Sequence, residues 1–340
     1  MADPPPDLPH HTQSPIDAVV TWVDGNDPEH RAKRRRALHQ KTDTEKQGTL
    51  RTGHSETRFQ DNGELYYCLK SIHAFAPWIR RVYLVTDNQQ PNFLDTEDSL
   101  PQDIQIVDHT TIFRGHEWAL PTFNSRTIET ALWRIPGLAP RFIYFNDDFV
   151  LASPTQPGSF FTDNGLILRG TWKRLSRFGP IRMWLNRVAT VVAKRALGIT
   201  RSMNHLLQMR SAQLAGFDNR YFDVPHVPHP IHTATLRAFF SDNWDLFAEN
   251  IQHKFRSTEQ FSAIYLAHHL EIKHDRAVLK DADRVAMING EMRLPFLLHR
   301  KLRRLREGGY SSVCLQGFEQ FSPKSRAKIE AALNTRMDAR

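Results

Sequence analysis

Two adjacent carboxylates directly follow an apolar run in residues 141–150, RFIYFNDDFV. Residues 142–145 have the apolar and aromatic side chains of a short buried strand. Asn146, Asp147 and Asp148 interrupt this run before the apolar pattern resumes. Carboxylates at the end of a buried strand are costly unless a cation or hydrogen bonds offset their charge. The stretch therefore predicts either a site for a divalent cation such as Mg²⁺ or a turn in which the Asn and Asp side chains cap their own backbone.

Three earlier apolar runs also predict strands that end in polar residues, over residues 16–23, 82–86 and 104–107. Between the first two, residues 64–75 place their leucine side chains on one face, as in a helix that packs on a core. This alternation predicts a parallel or mixed α/β sheet. The sequence contains neither a GxGxxG nor a GxxxxGK[ST] pattern, which argues against the usual dinucleotide site and the P-loop.

The two cysteines of this chain of 340 residues, Cys68 and Cys314, are far apart and lie in apolar surroundings. We expect buried free thiols, which are typical of cytoplasmic proteins. Residues 1–14 are rich in proline and predict a disordered segment without a secretory signal. No run of about 18 apolar residues predicts a membrane span. We therefore expect a cytoplasmic protein.

The net charge of +8 is concentrated in residues 171–200, which contain seven Lys and Arg residues and no Asp or Glu. Apolar residues that include Trp172 and Trp184 recur there at roughly helical spacing. A basic amphipathic helix with tryptophan is typical of a segment that binds an anionic membrane surface or a polyanion. The same pattern also fits a helical hairpin whose apolar face packs on the core.

His226 and His229 lie between prolines in residues 224–231, VPHVPHPI. Proline favours an extended backbone, on which residues three apart point to opposite faces. We therefore predict one functional and one structural histidine rather than a pair that chelates a metal. His268 and His269, within a later helical pattern, predict ordinary packing.

Several long segments resemble the Stealth family, which comprises nucleotide-sugar hexose-1-phosphoryltransferases. They are IDAVVTWVDGNDP, RFQDNGELYYCLKSIHAFAPWIRRVYLVTDNQQP, LPTFNSRTIETALWRIPGL, FIYFNDD, and VPHVPHPI followed by HKFR. The resemblance is dense over residues 16–150, continues over about 225–270 and is weaker over about 283–292. Bacterial members build phosphodiester-linked capsule or exopolysaccharide, and the family includes the catalytic region of the animal N-acetylglucosamine-1-phosphotransferase.

The resemblance implies an α/β fold with a Rossmann-like (glycosyltransferase-A-like) mixed sheet, flanking helices and a basic helical insertion. On this basis we expect a catalytic α/β domain formed by residues 15–159 and 223–295. The insertion would comprise residues 160–222, and residues 296–340 would form a basic helical tail.

The resemblance also implies the site residues. Catalytic roles fall on Glu129, Asp148, His226 and Arg256. We expect substrate-binding roles for Asp24, Arg58, Asp61, Glu64, Asn124, Asn146 and His229. Asp147 and Asp148 are the expected ligands of Mg²⁺ or Mn²⁺. This chain reads Asn289-Gly290 where family members often have Asn-Asp, so a site that uses that Asp in relatives must do without it here.

The implied reaction moves sugar 1-phosphate from a nucleotide diphosphate sugar, such as a UDP-hexose or UDP-N-acetylhexosamine, to a glycan hydroxyl, and releases a nucleoside monophosphate. Phosphoryl transfer requires positioning and charge neutralisation, which carboxylate-held Mg²⁺ and Arg256 can supply. His226 can accept the acceptor proton or donate one to the leaving group, and Glu129 is the other candidate base. The sequence leaves both assignments open.

Two other functions compete with this one. A conventional metal-dependent glycosyltransferase would use the acidic residues but release a nucleoside diphosphate. A nonenzymatic polyanion-binding protein would explain the net charge but not the candidate catalytic residues. Its binding would weaken steeply with salt. The expected partners are a nucleotide-sugar donor, a glycan or polysaccharide acceptor and an anionic membrane surface, with no nucleic acid.

Overall fold

The computed structural model describes residues 14–39, 62–94, 96, 100–163, 165–175, 204–290, 292 and 295–339. The strands of these residues are β1 (Ile16–Thr21), β2 (Val82–Thr86), β3 (Ile104–Asp108), β4 (Arg141–Asn146), β5 (Phe149–Leu151), β6 (Phe161–Thr162), β7 (Gly165–Arg169), β8 (Thr171–Arg174), β9 (Arg220–Asp223), β10 (His229–His232), β11 (Ala277–Lys280), β12 (Val285–Asn289) and β13 (Ser312–Gln316). The α-helices are α1 (Pro28–His39), α2 (Glu64–Phe75), α3 (His109–Ile112), α4 (Ser125–Ala131), α5 (Asn204–Leu214), α6 (Thr233–Asp242), α7 (Trp244–Ile251), α8 (Ala263–Lys273), α9 (Pro295–Arg306) and α10 (Pro323–Asp338).

The central sheet has the strand order β10-β4-β1-β2-β3. β1 to β4 are mutually parallel, and β10 is antiparallel to β4 at one edge. All six residues of β1 are buried, as expected of a middle strand that is covered on both faces. The predicted α/β class with a Rossmann-like mixed sheet is confirmed.

Alternate residues of β1 face two separate cores, because side chains alternate across a strand. Ala18 and Val20 belong to a core that includes Leu65 and Leu69 of α2. Val19 belongs to the opposite core, which includes Ile128 of α4 and apolar residues of α6, α7 and α8. Helices therefore pack on both faces of the sheet, and its strand ends are left as the place for a site.

The chain reverses direction across the sheet between β3 and β4. β1, β2 and β3 are added in sequence on one side, and β4 then returns to the other side of β1. Thr21 and Asn146, the last residues of β1 and β4, are register partners at this switch point. In open α/β sheets, ligands bind in the crevice outside the carboxyl ends of the strands at such a point.

A smaller sheet of order β12-β13-β5 receives the chain directly after the Asn146-Asp147-Asp148 turn. β5 pairs antiparallel with β13, and Cys314 is the register partner of Phe149. β12 and β13 pair in parallel. The sequence predicts β12, and also predicts helices over 298–306 and 324–332 that correspond to parts of α9 and α10. β13 was not predicted.

The helical prediction for residues 171–200 is wrong where the structure describes them. Thr171–Arg174 is a strand that pairs with β9, and Trp172 lies opposite Phe222. The Arg220 guanidinium lies 4.2 Å from the centre of the Trp172 ring, so protein groups already cover this tryptophan. Residues 176–203, with the rest of the predicted basic helix, lie outside the described residues. The predicted domain boundaries remain a prediction.

Both cysteines are free and buried, as expected. Among the described helices, none combines the length and the apolar character that crossing a bilayer requires.

Candidate active site

The turn Asn146-Asp147-Asp148 lies at the switch point and links the two sheets. Asn146 is the last residue of β4, and Asp147 and Asp148 form the turn before β5. The Asp148 carbonyl oxygen accepts a hydrogen bond from the Leu315 amide at 2.9 Å, which fixes the turn to β13. The backbone of residues 147–148 thus forms a turn, while the Asn146 and Asp148 side chains accept from Tyr144 and Cys314 rather than from the turn itself. This turn does not exclude a site, because the Asp148 side chain faces two other candidate ligands.

The Asp148 carboxylate lies beside His226 and Cys314, and one ligand atom from each of these residues lies within 4.8 Å of the others. The Cys314 thiol donates a hydrogen bond to Asp148 Oδ2 at 3.3 Å. Asp148 Oδ1 is buried and accepts no hydrogen bond within the described protein. Because a buried carboxylate oxygen needs a partner, Oδ1 is an available acceptor for a cation or a substrate group.

His226 is half-buried and meets Phe149 edge-on, with 4.5 Å between the ring centres. His229 lies on β10 with 3% exposure, and burial lowers its pKa well below the ordinary value for histidine. The structure thus places His226 beside Asp148 and His229 in the core, and their predicted roles, including substrate binding by His229, remain predictions. The predicted opposite orientation is wrong, since the His229 ring also lies against Phe149. The backbone bends at residues 226–227 instead of remaining extended.

Glu129 lies on α4, and buried hydroxyl groups contact its carboxyl group. Tyr144 Oη and Ser262 Oγ each lie 3.3 Å from one of its oxygens. Burial raises the pKa of Glu129 to about 7, although Arg126 and the two hydroxyls lower it in part. A carboxyl group with a pKa in this range is present in both its protonated and its ionised form near neutral pH, as is typical of acid–base groups in active sites.

Tyr144 connects Glu129 to the turn. Its hydroxyl donates to Asn146 Oδ1 at 2.6 Å and lies 3.1 Å from Thr21 Oγ1. Since Thr21 and Asn146 end β1 and β4, the Tyr144 hydroxyl lies at the switch point itself. The Tyr144 hydroxyl thus lies between the Glu129 carboxyl group and the side chain next to Asp147.

Arg256 is anchored at the start of α4. Its Nη2 donates to Ser125 Oγ at 2.7 Å. Ser125 and Glu129 are four residues apart on one helix, so their side chains lie on the same face. Asn124 caps this helix by accepting from the Arg126 amide at 3.2 Å, and its side-chain amide donates to the His253 carbonyl oxygen and to Gln260. In this arrangement Asn124 positions α4.

Asp24 and Glu64 also lie near strand or helix ends. The Asp24 backbone N–H and C=O both bond to the Gln89 side chain at 2.9 Å, which joins the segments after β1 and β2. Glu64, the first residue of α2, accepts from the Asn62 amide. Arg58 and Asp61 lie outside the described residues. Substrate contacts of Arg58 and Asp61 remain a prediction.

Two residues of this site were missed as functional candidates. The apolar pattern places Tyr144 inside a buried strand, and a phenol there indicates the need for a polar partner. Cys314 was predicted only as a buried thiol. No local pattern connects it to Asp148, because the contact spans 166 positions and depends on the pairing of β13 with β5.

The carboxylates of the turn fit the expected Mg²⁺ or Mn²⁺. Mg²⁺ takes one or two protein carboxylates together with waters and substrate phosphates. The unpartnered Asp148 Oδ1 and the neighbouring Asp147 supply such oxygens. The nitrogen of His226 and the sulfur of Cys314 do not belong to a typical Mg²⁺ site.

Comparison with known proteins gives family matches over much of the central sheet. Residues 14–42 match Stealth protein conserved region 1, and residues 58–168 match conserved region 2. An exopolysaccharide phosphotransferase of Streptomyces coelicolor is 34% identical over 260 residues, which are 75% of this chain and 25% of that protein. The capsular polysaccharide phosphotransferase LcbA of Aeromonas hydrophila is 34% identical over 255 residues, 73% of this chain and 63% of that protein.

This chain therefore spans between a quarter and just under two thirds of the length of these two relatives. Among solved structures, the apo form of mouse xyloside xylosyltransferase 1 is similar over 88% of this chain and 97% of that chain. The TM-score is 0.38 and the sequence identity 9%, too low to bear on the site.

Proposed function

This chain carries Stealth conserved regions 1 and 2, and from that premise we propose that it transfers sugar 1-phosphate from a nucleotide diphosphate sugar to a hydroxyl of a capsular or exopolysaccharide glycan. The relatives' names as polysaccharide phosphotransferases support phosphate transfer in polysaccharide synthesis. The donor is proposed to be a UDP-hexose or a UDP-N-acetylhexosamine.

The juxtaposition of Asp148 and His226 at the switch point carries this proposal. One group can hold the negatively charged diphosphate through a cation, and the other can accept a proton next to it. Their ligand atoms lie within 4.8 Å, which is close enough for both to act on one phosphoryl group. A protein that only binds polyanions has no need of an acid–base group beside a carboxylate.

The proposed step is an in-line displacement at the β-phosphorus of the donor. The bond between the acceptor oxygen and this phosphorus forms, and the bond from this phosphorus to the bridging oxygen breaks. The nucleoside monophosphate leaves with the bridging oxygen. The acceptor hydroxyl loses its proton, and the sugar 1-phosphate becomes a phosphodiester on the glycan.

We assign the acceptor proton to His226 and a positioning role to Glu129. His226 is half-buried next to Asp148, whereas the Glu129 carboxyl group is buried behind the Tyr144 and Ser262 hydroxyls. Glu129 then acts through Tyr144 on Asn146, and so orients the turn that bears Asp147 and Asp148.

Arg256 is proposed to bind the oxygens of the transferring phosphoryl group. A guanidinium offers several donors in a planar fork, which suits phosphate. The Ser125 hydroxyl holds one of its nitrogens and orients the remaining ones. Asp147 and Asp148 would hold Mg²⁺ or Mn²⁺, which would neutralise charge on the diphosphate.

The nucleotide product separates the candidate functions. The full chain is incubated with a panel of UDP-sugars, a glycan acceptor and Mg²⁺, and the nucleotide released is identified by chromatography. UMP release, abolished in Asp148→Asn and retained in a matched variant of the exposed residue Asp281→Asn, is the expected result. Release of UDP would instead favour a conventional glycosyltransferase. Salt-sensitive polymer binding without turnover would favour a polyanion-binding protein.

We further propose that residues 171–200 hold the enzyme against an anionic membrane surface at the inner face of the cell membrane. Their uniform positive charge supports this, because each basic residue near such a surface contributes about 1 kcal/mol. Deletion of residues 176–203 should abolish sedimentation with phosphatidylglycerol vesicles, while neither protein should sediment with phosphatidylcholine vesicles. Unchanged sedimentation of the deletion variant would contradict this assignment.

A further inference from the structure

Three chemically different metal ligands surround Phe149. Asp148 precedes Phe149 in the chain, Cys314 is its register partner on β13, and the His226 ring packs against its ring. Their oxygen, nitrogen and sulfur atoms lie within 4.8 Å of one another. Three separate parts of the chain thus bring a carboxylate, an imidazole and a thiol to one point.

The spacing of the Asp148 oxygen and the Cys314 sulfur suits a tetrahedral metal. With zinc bonds of about 2.0 Å to oxygen and 2.3 Å to sulfur, two tetrahedral ligands lie about 3.5 Å apart. Asp148 Oδ2 and Cys314 Sγ are 3.3 Å apart. The Leu315 backbone N–H donates a hydrogen bond to the Asp148 carbonyl oxygen. This bond fixes the backbone of Asp148 against the strand that carries Cys314.

We propose that Asp148, His226 and Cys314 form a binding site for Zn²⁺, with a fourth position open to water or a phosphate oxygen. A mixed oxygen, nitrogen and sulfur set favours a borderline-soft ion such as Zn²⁺ over Mg²⁺, which requires oxygen ligands. On binding, the thiol proton that Cys314 donates to Asp148 leaves to solvent, and a sulfur–zinc bond replaces it.

Zinc at this site removes Asp148 and His226 from the proposed reaction. This consequence, unlike the site itself, depends on the function proposed above. We expect Zn²⁺ to inhibit Mg²⁺-supported UMP release and the Cys314→Ser variant to need at least about tenfold more Zn²⁺ for half inhibition. The rate of UMP release with zinc is divided by the rate of the same protein without zinc. A change in basal activity therefore does not affect the comparison.

Cobalt tests the site without reference to catalysis. Co²⁺ substitutes for Zn²⁺, and a thiolate ligand gives it a characteristic near-ultraviolet absorption. The chain has only two cysteines, so any such absorption comes from Cys68 or Cys314. Cys68 is a matched control, because it is also buried and its sulfur lies 3.7 Å from the Asn146 carbonyl oxygen.

The full chain should bind one Co²⁺ with thiolate absorption, and Zn²⁺ should displace it. Cys314→Ser should lose this absorption and Cys68→Ser should keep it. Wild-type protein without thiolate absorption, or Cys314→Ser with it, would overturn the proposal.

His226→Gln keeps both cysteines and should bind Co²⁺ at least about tenfold more weakly. Unchanged affinity of this variant would also overturn the proposal, even if Cys314→Ser failed to fold. If the wild-type protein releases UMP but shows no thiolate absorption with Co²⁺, the zinc site is refuted and the proposed function is not.

Discussion

The Tyr144 hydroxyl lies 3.3 Å from the Glu129 carboxyl group and 2.6 Å from the Asn146 side chain, at the ends of the two strands that flank the switch point. A buried acid is thereby linked through one phenol to the turn that bears Asp147 and Asp148.

The stability of Glu129→Gln relative to the wild type should increase as the pH rises from about 4.5 to 7. The pKa of Glu129 is raised from 4.5 to about 7 in the folded state, mainly by burial. The unfolded chain therefore loses this proton first, and wild-type stability falls across that interval and then levels off. The change in the stability difference between variant and wild type should be about 3 kcal/mol. Urea unfolding between pH 4 and 8 measures it, and parallel pH curves for the two proteins would contradict it.

Tyr144→Phe should lower kcat for UMP release by about 10- to 100-fold, with a smaller change in KM. The variant keeps the ring but removes the hydroxyl that joins Glu129 to Asn146. It also leaves buried polar groups unpaired, which should cost about 1–3 kcal/mol of folding stability. Tyr83→Phe is the control, since its ring is also buried and it lies on β2 rather than on the strand that carries Asn146. Equal loss of activity in both variants would show that Tyr144 acts only by packing.

Arg256→Lys should reduce kcat by about 10²- to 10³-fold, although the positive charge is kept. A lysine ammonium lacks the planar fork that could bond Ser125 and a phosphoryl oxygen at the same time. Steady-state kinetics measure the effect. Arg210→Lys, an exposed arginine that donates to the Thr258 carbonyl oxygen at 2.9 Å, is the matched control. An effect on KM alone would assign Arg256 to binding of the donor in its ground state.

Removal of divalent ions with a chelator should abolish UMP release, and Mg²⁺ or Mn²⁺ should restore it. The physical reason is that two carboxylates beside a diphosphate repel it unless a cation neutralises the charge. In Asp148→Asn, added Mg²⁺ should restore at most about one part in a hundred of wild-type activity. Full activity of the wild type in chelator would rule out the metal role of Asp147 and Asp148.

Local sequence patterns predict most of the central sheet. Continuous apolar runs predict β1, β2 and β4 because parallel strands in the middle of a sheet are buried on both faces. The pattern of residues 120–134 predicts a helix capped by Asn124 or Ser125, and in the structure Asn124 caps α4 by accepting from an amide of the first turn. Such signals depend only on residues close in sequence.

Local sequence patterns do not predict structure that depends on contacts between residues far apart in the chain. The spacing around Trp172 indicates a helix, yet pairing with β9 makes residues 171–174 a strand. The extended geometry expected for His226 and His229 gives way to a bend that turns His226 towards Asp148. In both places tertiary contacts outweigh local preference, because burial and strand pairing involve more free energy than propensity.

The sequence by itself determined the α/β class, the carboxylates at the end of β4 and, through resemblance, the residues expected to act with them. Only the tertiary structure decided that Cys314 shares a site with Asp148 and His226, and that Tyr144 connects Glu129 to the turn. The reason is that periodicity specifies which residues form a strand and which face is buried. Which strand ends meet depends on how the two sheets pack, and the pairing of β5 with β13 brings together residues 166 positions apart.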